Sequence, residues 1–551
     1  MLDGSRLIFI SSQLNKFYRI LKEELFFKLN AWTIISLLVG LFIFLPMAEV
    51  LWHFTDTADS WEHLKETVLG RYLKGSFILV LGTACLSIIT GVSCAWLVSC
   101  CDFPGRRFFE WALILPLAIP TYIAAYAYFD LLDMLNPLLV WIRTSFSINT
   151  MIYLNDVLVY VVTILVLASV LYPYIYLLAR SSFSNQGSQL IEAAQMLGHS
   201  PKSIFWRVAL PMARPAIVAG TSLVIMETLN DYGAVKHFGV PTFTTGIFRS
   251  WLGMDDISGA LRLAACLMLF IFLLLLIEKG LRGGAKFNIG ISSSQPFKRY
   301  SLDLIKSRLA ILICSIPLLV GFIAPVMRLS FWATSNIEKL FNASFLKLII
   351  NSLSLATISS FVAVTVAIFL AYVARYFSSS SVYTSNRMAI LGYSVPGAVV
   401  AIGILLFSGQ INQLNGWVLT GSFFMLIFAY LIRFLAVAWQ PIDSGMEKNC
   451  EQFNNASRSL GSSTFKSLIR VNIPLLKNTL LVAGLLVFID TIKELPLTLI
   501  LRPFNFETLA TRTFDLTTQG QIPESSIPAL CIILVVVFPA IWLNRQMEYK
   551  K

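Results

Sequence analysis

Long apolar runs separated by short polar segments dominate the chain. Twelve runs of about 20 residues lie between charged or Pro/Gly/Asn-rich breaks, and a helix of that length crosses a hydrocarbon core of about 30 Å. Because lipid offers backbone groups no hydrogen-bond partner, each run is predicted to be a helix. The third, proline-interrupted run can also be kinked or partly re-entrant. The predicted spans are 32–51, 76–99, 109–129, 156–178, 214–233, 259–277, 309–328, 347–373, 389–408, 419–440, 477–497 and 526–543.

The composition agrees with a membrane protein. Of the 551 residues, 57% are hydrophobic and 13% are charged, whereas soluble domains have about 45–50% and about 25%. The fold class is therefore predicted to be an all-α polytopic membrane protein. The eight cysteines fall mostly in spans or in cytoplasmic loops, so we interpret them as small apolar packing residues.

The distribution of basic residues predicts the orientation. If the N-terminus is cytoplasmic, 28 of the 42 Lys and Arg lie in cytoplasmic segments and 9 in external ones, so the positive-inside rule places both termini in the cytoplasm. The net charge of +12 is then a topology signal with contact to anionic lipid, and a nucleic-acid partner is not expected. Residues 1–31 are predicted to form an amphipathic segment on the inner leaflet, and residues 544–551 a cytoplasmic tail.

An internal duplication divides the chain. Adding 263 to a residue number aligns two stretches without a gap from about residue 192 to 249. Two parallel six-helix repeats are predicted, 32–278 and 309–543, joined by a cytoplasmic linker at 279–308. Matching pairs include Leu197 with Leu460, Arg207 with Arg470, Asp231 with Glu494, and Arg249 with Arg512.

Two cytoplasmic loops repeat one pattern. The first loop, residues 179–213, contains Glu192, Ala193, Ala194, Gly198 and Pro211, and the second loop, residues 441–476, contains Asn455, Ala456, Gly461 and Pro474. Each is predicted to form a short helix, a glycine turn, a second short helix and a proline at re-entry to the membrane. A hairpin that only joins two spans is the alternative interpretation.

The spacing from Glu192-Ala193-Ala194 through Gly198 to Pro211 resembles the EAA loop of permease subunits of bacterial ABC importers. In that family the loop forms a coupling helix that binds a separate ATPase subunit. The resemblance implies a type I importer permease of the inner membrane, two ATPase copies for its two loops, and a periplasmic substrate-binding protein. The second loop departs from the pattern because it has Asn455 in place of the glutamate.

The segments after each loop narrow the resemblance. Residues 227–233 with 243–251, and 490–496 with 501–512, are similar to ferric-iron importer permeases. Permeases for thiamine, phosphonate or polyamine share this build and remain alternatives. A twelve-helix secondary transporter is less favoured, because the repeats are most alike in the cytoplasmic loops. A lipid-modifying enzyme is also less favoured, because no Asp/His/Arg cluster falls at one leaflet.

No catalytic or cofactor site is expected. The glycine cluster at 280–286 lacks the spacing of a phosphate-binding loop, so ATP hydrolysis is assigned to a partner. The four histidines show no metal-ligand spacing, and neither a cofactor nor a resident metal is predicted.

Four acidic residues of the spans are candidates for a pathway or a gate. Glu227 and Asp231 are four positions apart, and so are Asp490 and Glu494, which on a helix places each pair on one face. A charge facing lipid costs at least about 2.5 kcal/mol, so the acids are expected to face the axis between the repeats.

Two interpretations of these acids stay open. They can draw a hard cation inward, or they can pair with Lys236 and Lys493 in a gate or seam. Arg249 and Arg512 are candidates for contact with an accompanying anion.

Overall fold

Helices make up almost all of the structure. The computed structural model describes residues 30–52, 61–128, 137, 140–141, 144, 148–185, 193–194, 196–282, 299–336, 338, 343–377, 379–416 and 418–548. Within these residues eleven helices are long and apolar enough to cross a membrane, or twelve if one bent pair counts as a span. The predicted all-α polytopic class is confirmed. The amphipathic segment expected before residue 30, Glu192 and linker residues 283–298 lie outside the described residues.

In the described part of the first half we number nine helices. They are α1 (Ala31–Trp52), α2 (Gly70–Cys100), α3 (Arg106–Ala112), α4 (Thr121–Ala127), α5 (Ile148–Asn185), α6 (Leu210–Asn230), α7 (Gly233–Phe238), α8 (Phe243–Phe248) and α9 (Ile257–Arg282). Shorter pieces extend these helices. They are Trp61–Leu64, the 3₁₀ turn Leu115–Ala118, Pro201–Ile204, and the π-helical turns Lys65–Leu69, Phe205–Ala209 and Arg249–Gly253.

The second half contains ten numbered helices. They are α10 (Leu304–Leu318), α11 (Ala324–Thr334), α12 (Ala343–Phe377), α13 (Ser380–Ile390), α14 (Gly397–Asn415), α15 (Phe423–Ser459), α16 (Ile473–Lys493), α17 (Pro496–Leu501), α18 (Leu509–Thr518) and α19 (Ile522–Glu548). The shorter pieces are the 3₁₀ turn Leu391–Ser394, Thr464–Ser467, and the π-helical turns Leu319–Ile323 and Leu468–Asn472.

One small parallel sheet joins the halves. Strand β1 (Cys101–Asp102) follows α2, and β2 (Tyr300–Ser301) precedes α10. Cys101 is in register with Tyr300. The end of the predicted linker is therefore attached to the first half. Helix α19 continues to Glu548, so most of the predicted C-terminal tail is helical.

Prolines break the third span, as the proline-interrupted sequence of that run predicted. Helix α3 with its 3₁₀ turn meets α4 at an angle of 92°. Pro120 is the N-cap of α4, and Ile119 before it is extended at φ −92° and ψ 118°, the conformation that a following proline favours. Pro396 takes the same place before α14. The kink predicted in the third span is confirmed, and Pro396 marks a second helix start that the span pattern did not show.

The first span of each half packs against the other half. Helix α1 lies on α13 and α14, and the Phe42 ring contacts the Phe407 ring with centroids 5.6 Å apart. In return, the segment of α10 and α11 lies on the first half, where the Tyr128 hydroxyl donates to the Val320 carbonyl at 2.5 Å. The halves are thus interlocked, although their sequences divide cleanly at the linker.

The gapless alignment of the repeats fails after the short helices that follow α6 and α16. The ends of α7 and α17, Phe238 and Leu501, are still 263 residues apart. The next helices begin at capping boxes headed by Thr242 and Thr508, which are 266 residues apart. The second half therefore has three additional residues in this loop, and the predicted register is wrong beyond it.

The anchoring of α8 and α18 supports the corrected register. The Phe243 N–H donates to the Ser76 hydroxyl at 3.2 Å. The Leu509 N–H donates to the Ser352 hydroxyl at 2.8 Å. Both bonds tie the first residue of the helix to a serine in the long second span of its own half, so Phe243 and Leu509 are equivalent.

Glycines allow close packing around α5. Ile175 of α5 lies between α2 and α6, where Gly91 and Gly220 face it. A Cβ at Gly220 would be 2.8 Å from the Ile175 Cα, a backbone atom that cannot rotate away. Small residues at such contacts are typical of helix packing in membranes.

We predict that Gly220→Ala destabilises the folded chain by about 1–3 kcal/mol, because the added methyl overpacks the contact with Ile175. The matched control is Gly484→Ala on α16, where a Cβ would lie 3.3 Å from the Ser360 hydroxyl. Thermal unfolding of the purified variants in detergent compares the two. Equal melting temperatures would contradict the packing argument.

Candidate functional site

The four candidate acids line one cavity between the halves. The cavity has a volume of about 70 Å³, which is room for only a few water molecules. It also contains two cationic side chains, Arg433 and Lys493. The expectation that the acids face the axis therefore agrees with the structure. The acidic lining consists of Glu227, Asp231, Asp490 and Glu494.

Asp231 ends α6 and caps α7. Its backbone is extended at φ −65° and ψ 129°, so it has left the helix on which the four-residue spacing was argued. One carboxylate oxygen accepts from the N–H groups of Ala234 at 2.9 Å and Val235 at 3.2 Å. The other accepts from the Thr121 hydroxyl. The side chain is only 6% exposed, and these bonds satisfy its charge within the protein.

Glu494 repeats this arrangement in the second half. It ends α16 with an extended backbone at φ −70° and ψ 126°. Its carboxylate accepts from the Leu497 N–H at 3.3 Å, and its carbonyl accepts from the Thr498 hydroxyl at 3.0 Å. Asp231 and Glu494 therefore hold the short helices α7 and α17 as well as contributing charge to the cavity.

Asp490 and Lys493 form an ion pair. Their charged atoms are 3.1 Å apart, and each side chain is about one-fifth exposed, 21% and 19%. Glu227 lies within electrostatic reach of Lys493 and Arg433, and the Tyr393 hydroxyl is close to it. The predicted pairing of Lys493 with the acids is thus present.

Lys236 does not pair with the cavity acids. Its ammonium lies 4.8 Å from the centroid of the Phe514 ring and 5.5 Å from that of Tyr232. The charge is held by a cation–π contact instead. Since Phe514 belongs to α18, this contact also joins the two halves.

Arg433 is a cavity residue to which the sequence interpretation gave no role. It lies in the first third of α15 with only 4% exposure, and one terminal nitrogen donates to the carbonyls of Tyr393, at 3.0 Å, and Val395. Its Nε has no hydrogen-bond partner among the described residues. A single arginine inside an apolar span was the available signal, because such residues usually serve function.

Asn230 joins the halves beside the acids. Its side-chain oxygen accepts from the Gly397 N–H at 2.7 Å, so the last residue of α6 caps the first turn of α14 across the seam. This contact could not be predicted from the repeat, because the equivalent residue of α16 is Lys493.

Arg249 and Arg512 do not line the cavity. Arg249 is exposed in a π-helical turn. Arg512 lies 3.8 Å from Glu507. The three additional residues in the second half mean that the two arginines are not equivalent positions, so the predicted match between them is wrong.

The two loops have the predicted glycine turn. Gly198 and Gly461 have φ of +77° and +74°, where a side chain is strained even though open space surrounds both residues. Ser200 and Ser463 follow as N-caps, each accepting a backbone N–H at 3.4 Å. Glycine is therefore required at these two positions by the backbone conformation and not by crowding.

The helix after each turn is longer than predicted. It runs into the span as one continuous segment, Pro201–Asn230 in the first half and Thr464–Lys493 in the second. A π-helical turn precedes Pro211 and Pro474. The wider turn accommodates prolines that have no N–H to donate, so the second short helix continues into the span past the proline at re-entry.

Large apolar side chains are exposed at the turns. Leu197 is 78% exposed and Leu460 is 85% exposed. Ala193 and Ala456 are exposed as well, while Ala194 is buried. Exposed leucines at matching positions of both loops are typical of a protein contact surface.

The interiors of the two loops differ. In the second loop the Asn454 oxygen accepts from the Ser467 hydroxyl at 3.2 Å and from the Asn472 amide at 2.9 Å. The first loop has the apolar residues Ile204 and Ala209 at the positions of Ser467 and Asn472. The two loops have the same glycine turn, but side-chain hydrogen bonds stabilise the second loop and apolar packing stabilises the first.

Comparison with known proteins agrees with this architecture. A family model described as "Binding-protein-dependent transport system inner membrane component" matches residues 87–281 and 363–550, one range in each half. The chain is 27% identical over 519 residues to the Fe(3+)-transport system permease protein FbpB 2 of Haemophilus influenzae, covering 93% of this chain and 97% of that protein.

Other relatives are similar to this chain over about the length of one repeat. The sulfate transport system permease protein CysT of Escherichia coli is 25% identical over 202 residues, 36% of this chain and 70% of that protein. The diacetylchitobiose uptake system permease protein NgcG of Streptomyces coelicolor is 27% identical over 168 residues, 30% of this chain and 48% of that protein. Because the family model matches both halves and more than half of all residues, this chain belongs to the family of binding-protein-dependent transport system inner membrane components.

Proposed function

We propose that this chain is the fused permease subunit of an ATP-driven importer for ferric iron. The similarity to an Fe(3+) permease over nearly its full length carries the proposal. The charge of the central cavity supports it, because four carboxylates face two cationic side chains there. Hard trivalent iron prefers oxygen ligands, and a net negative passage attracts it.

Sulfate is a second candidate cargo, since sulfate permeases are among the partial relatives. A divalent oxyanion would meet the four carboxylates with only Arg433 and Lys493 to offset them. At the short distances of this cavity that repulsion is large. The charge balance therefore favours a cation over sulfate, and the same reasoning disfavours phosphonate.

In the proposed importer the loops receive mechanical work from ATPase subunits. The positive-inside rule places both loops and both termini in the cytoplasm, where Leu197 and Leu460 each meet one ATPase copy. A periplasmic binding protein delivers iron at the opposite face. When ATP draws the two ATPases together, the loops move with them and the halves tilt.

Helix continuity explains how that movement reaches the cavity. The segment Pro201–Asn230 has 30 residues, so it extends about 45 Å as a helix. The first loop lies at one end and Asp231 follows directly at the other. Thr464–Lys493 provides the same connection to Glu494. Movement of a loop therefore shifts the carboxylates of its own half.

The cations in the cavity keep iron binding weak. Lys493 and Arg433 neutralise part of the carboxylate charge when no cargo is present, which limits the desolvation penalty of the acids. A site without them would hold iron too tightly to release it. The ion pair of Asp490 with Lys493 and a role of the acids in the pathway are thus compatible with each other.

The loop surface is tested with Leu197→Asp combined with Leu460→Asp. We expect the double variant to lose co-purification with the ATPase subunits, because two charges replace apolar contacts, while its melting temperature stays unchanged. Phe504→Asp is the matched control, since Phe504 is 94% exposed in the loop between α17 and α18. Normal ATPase binding by the double variant would exclude these residues from the contact.

The cavity acids that do not cap helices are tested with Glu227→Gln combined with Asp490→Asn. Uptake of radiolabelled ferric iron should fall at least about tenfold, since a loss of roughly 1.4 kcal/mol of attraction in the passage has that effect. Asp303→Asn serves as control, because its side chain is 80% exposed. Unchanged iron uptake removes the acids from the pathway, and sulfate uptake by the wild type would favour the second candidate.

The ion pair is tested by a double-mutant cycle. Lys493→Met alone should destabilise the chain by about 3 kcal/mol, because Asp490 then keeps a largely buried charge without its partner. Adding Asp490→Asn should recover most of the loss. Thermal unfolding of the three variants measures the coupling, and purely additive losses would show that the pair is not coupled.

A further inference from the structure

A second cavity lies at the end of α2 that is nearest the first loop. It has a volume of about 570 Å³. The contacts of Trp96 in α2 show that this end of α2 is close to the first loop. The Trp96 ring centroid is 5.1 Å from that of Phe205, which follows the first loop turn, and 6.4 Å from that of Tyr300 in β2. The lining consists of Asp102, Phe103, Gly105, Arg106, Arg107, Arg299 and Ser301.

Two of its arginines are held side by side. Arg106 donates to the Val98 carbonyl at 3.3 Å, and the Arg299 Nε donates to the Ser99 carbonyl at 3.3 Å. These are consecutive carbonyls at the C-terminal end of α2, where arginine side chains are favourable. A guanidinium has five N–H donors, so Arg299 keeps its terminal nitrogens for a ligand.

The cavity has an excess of positive charge. Glu110 is shared between Arg106, at 3.2 Å, and Arg180. Asp102 lies 3.9 Å from Arg106 and is largely exposed. Within the described part of the chain neither Arg107 nor Arg299 pairs with a carboxylate. The lining itself has three guanidinium groups and one carboxylate, that of Asp102, so the balance favours an anion.

Exposed apolar side chains lie close in sequence to the cavity lining. Phe108 follows Arg107 and is 49% exposed, while Leu304 and Ile305 at the start of α10 are 69% and 74% exposed. These side chains belong to segments that are long and apolar enough to span a membrane, where lipid acyl chains are a favourable environment for exposed apolar groups. Basic residues next to an acyl-chain surface fit an amphiphile with an anionic headgroup.

The second half lacks arginines at the positions equivalent to Arg106 and Arg107. The prolines that begin α4 and α14, Pro120 and Pro396, differ by 276 in number. The same offset places Val382 at the position of Arg106 and Tyr383 at that of Arg107. This pair of arginines is therefore specific to the first half and is not part of the repeated pattern.

We propose that this cavity binds the phosphate headgroup of an anionic phospholipid. A phosphate that accepts from Arg107 and Arg299 bridges the first half to the segment at β2 where the second half begins. The strand pairing of Cys101 with Tyr300 already joins these parts. The lipid adds to this attachment beside the first loop.

The test uses the purified full-length chain after delipidation in detergent. Phosphatidylglycerol and phosphatidylcholine with the same acyl chains are added separately, and inorganic phosphate forms a third arm. Native mass spectrometry counts retained lipid, and thermal unfolding reports stabilisation. The wild type is expected to retain phosphatidylglycerol in preference to phosphatidylcholine and to melt at a higher temperature with it.

The variant Arg107→Gln combined with Arg299→Gln should bind phosphatidylglycerol at least about tenfold more weakly, because two charged hydrogen bonds are lost. Arg387→Gln on α13, an exposed arginine of the corresponding helix in the second half, should behave as wild type. Equal binding of both lipids, or unweakened binding by the double variant, would overturn the proposal. Stabilisation by inorganic phosphate equal to that by phosphatidylglycerol would overturn the assignment to lipid.

Discussion

Charged groups at the seam between the halves must be satisfied inside the protein, because hydrocarbon provides neither water nor counterions. Asp231 and Glu494 meet this constraint by capping the short helices α7 and α17. Asp490 meets it through Lys493 at 3.1 Å. The seam is therefore a polar and tightly bonded part of the membrane region, and the positions of α6, α14, α15 and α16 depend on it.

The two halves are related but not equivalent. Asn230 binds the Gly397 N–H across the seam, and its counterpart in α16 is Lys493, which pairs with an acid instead. The second loop is held by Asn454 and its polar partners, whereas the first is packed with apolar residues. A fused chain allows this divergence, because each half always meets the other and never a copy of itself.

Because the first span of each half packs against the other half, the two halves cannot move independently. Helix α1 rests on the second half, and α10 with α11 rests on the first. A tilt of one half therefore carries a helix of the other with it. The sheet between β1 and β2 adds a second attachment at the side of the loops. Between these attachments, the continuous segments that begin after Gly198 and Gly461 connect the loops to the cavity.

Hydropathy and charge along the chain were enough to identify the spans, the repeat, the glycine turns and the four acids, because each depends on local composition or on backbone conformation at one residue. Packing determined the rest. The register after α7, the role of Asp231 as a cap, the burial of Arg433 in the cavity and the exchange of α1 between halves all depend on contacts between residues far apart in sequence. A pattern along one chain carries no information about which distant partner a polar group will find, and in a membrane that partner decides where the group can lie.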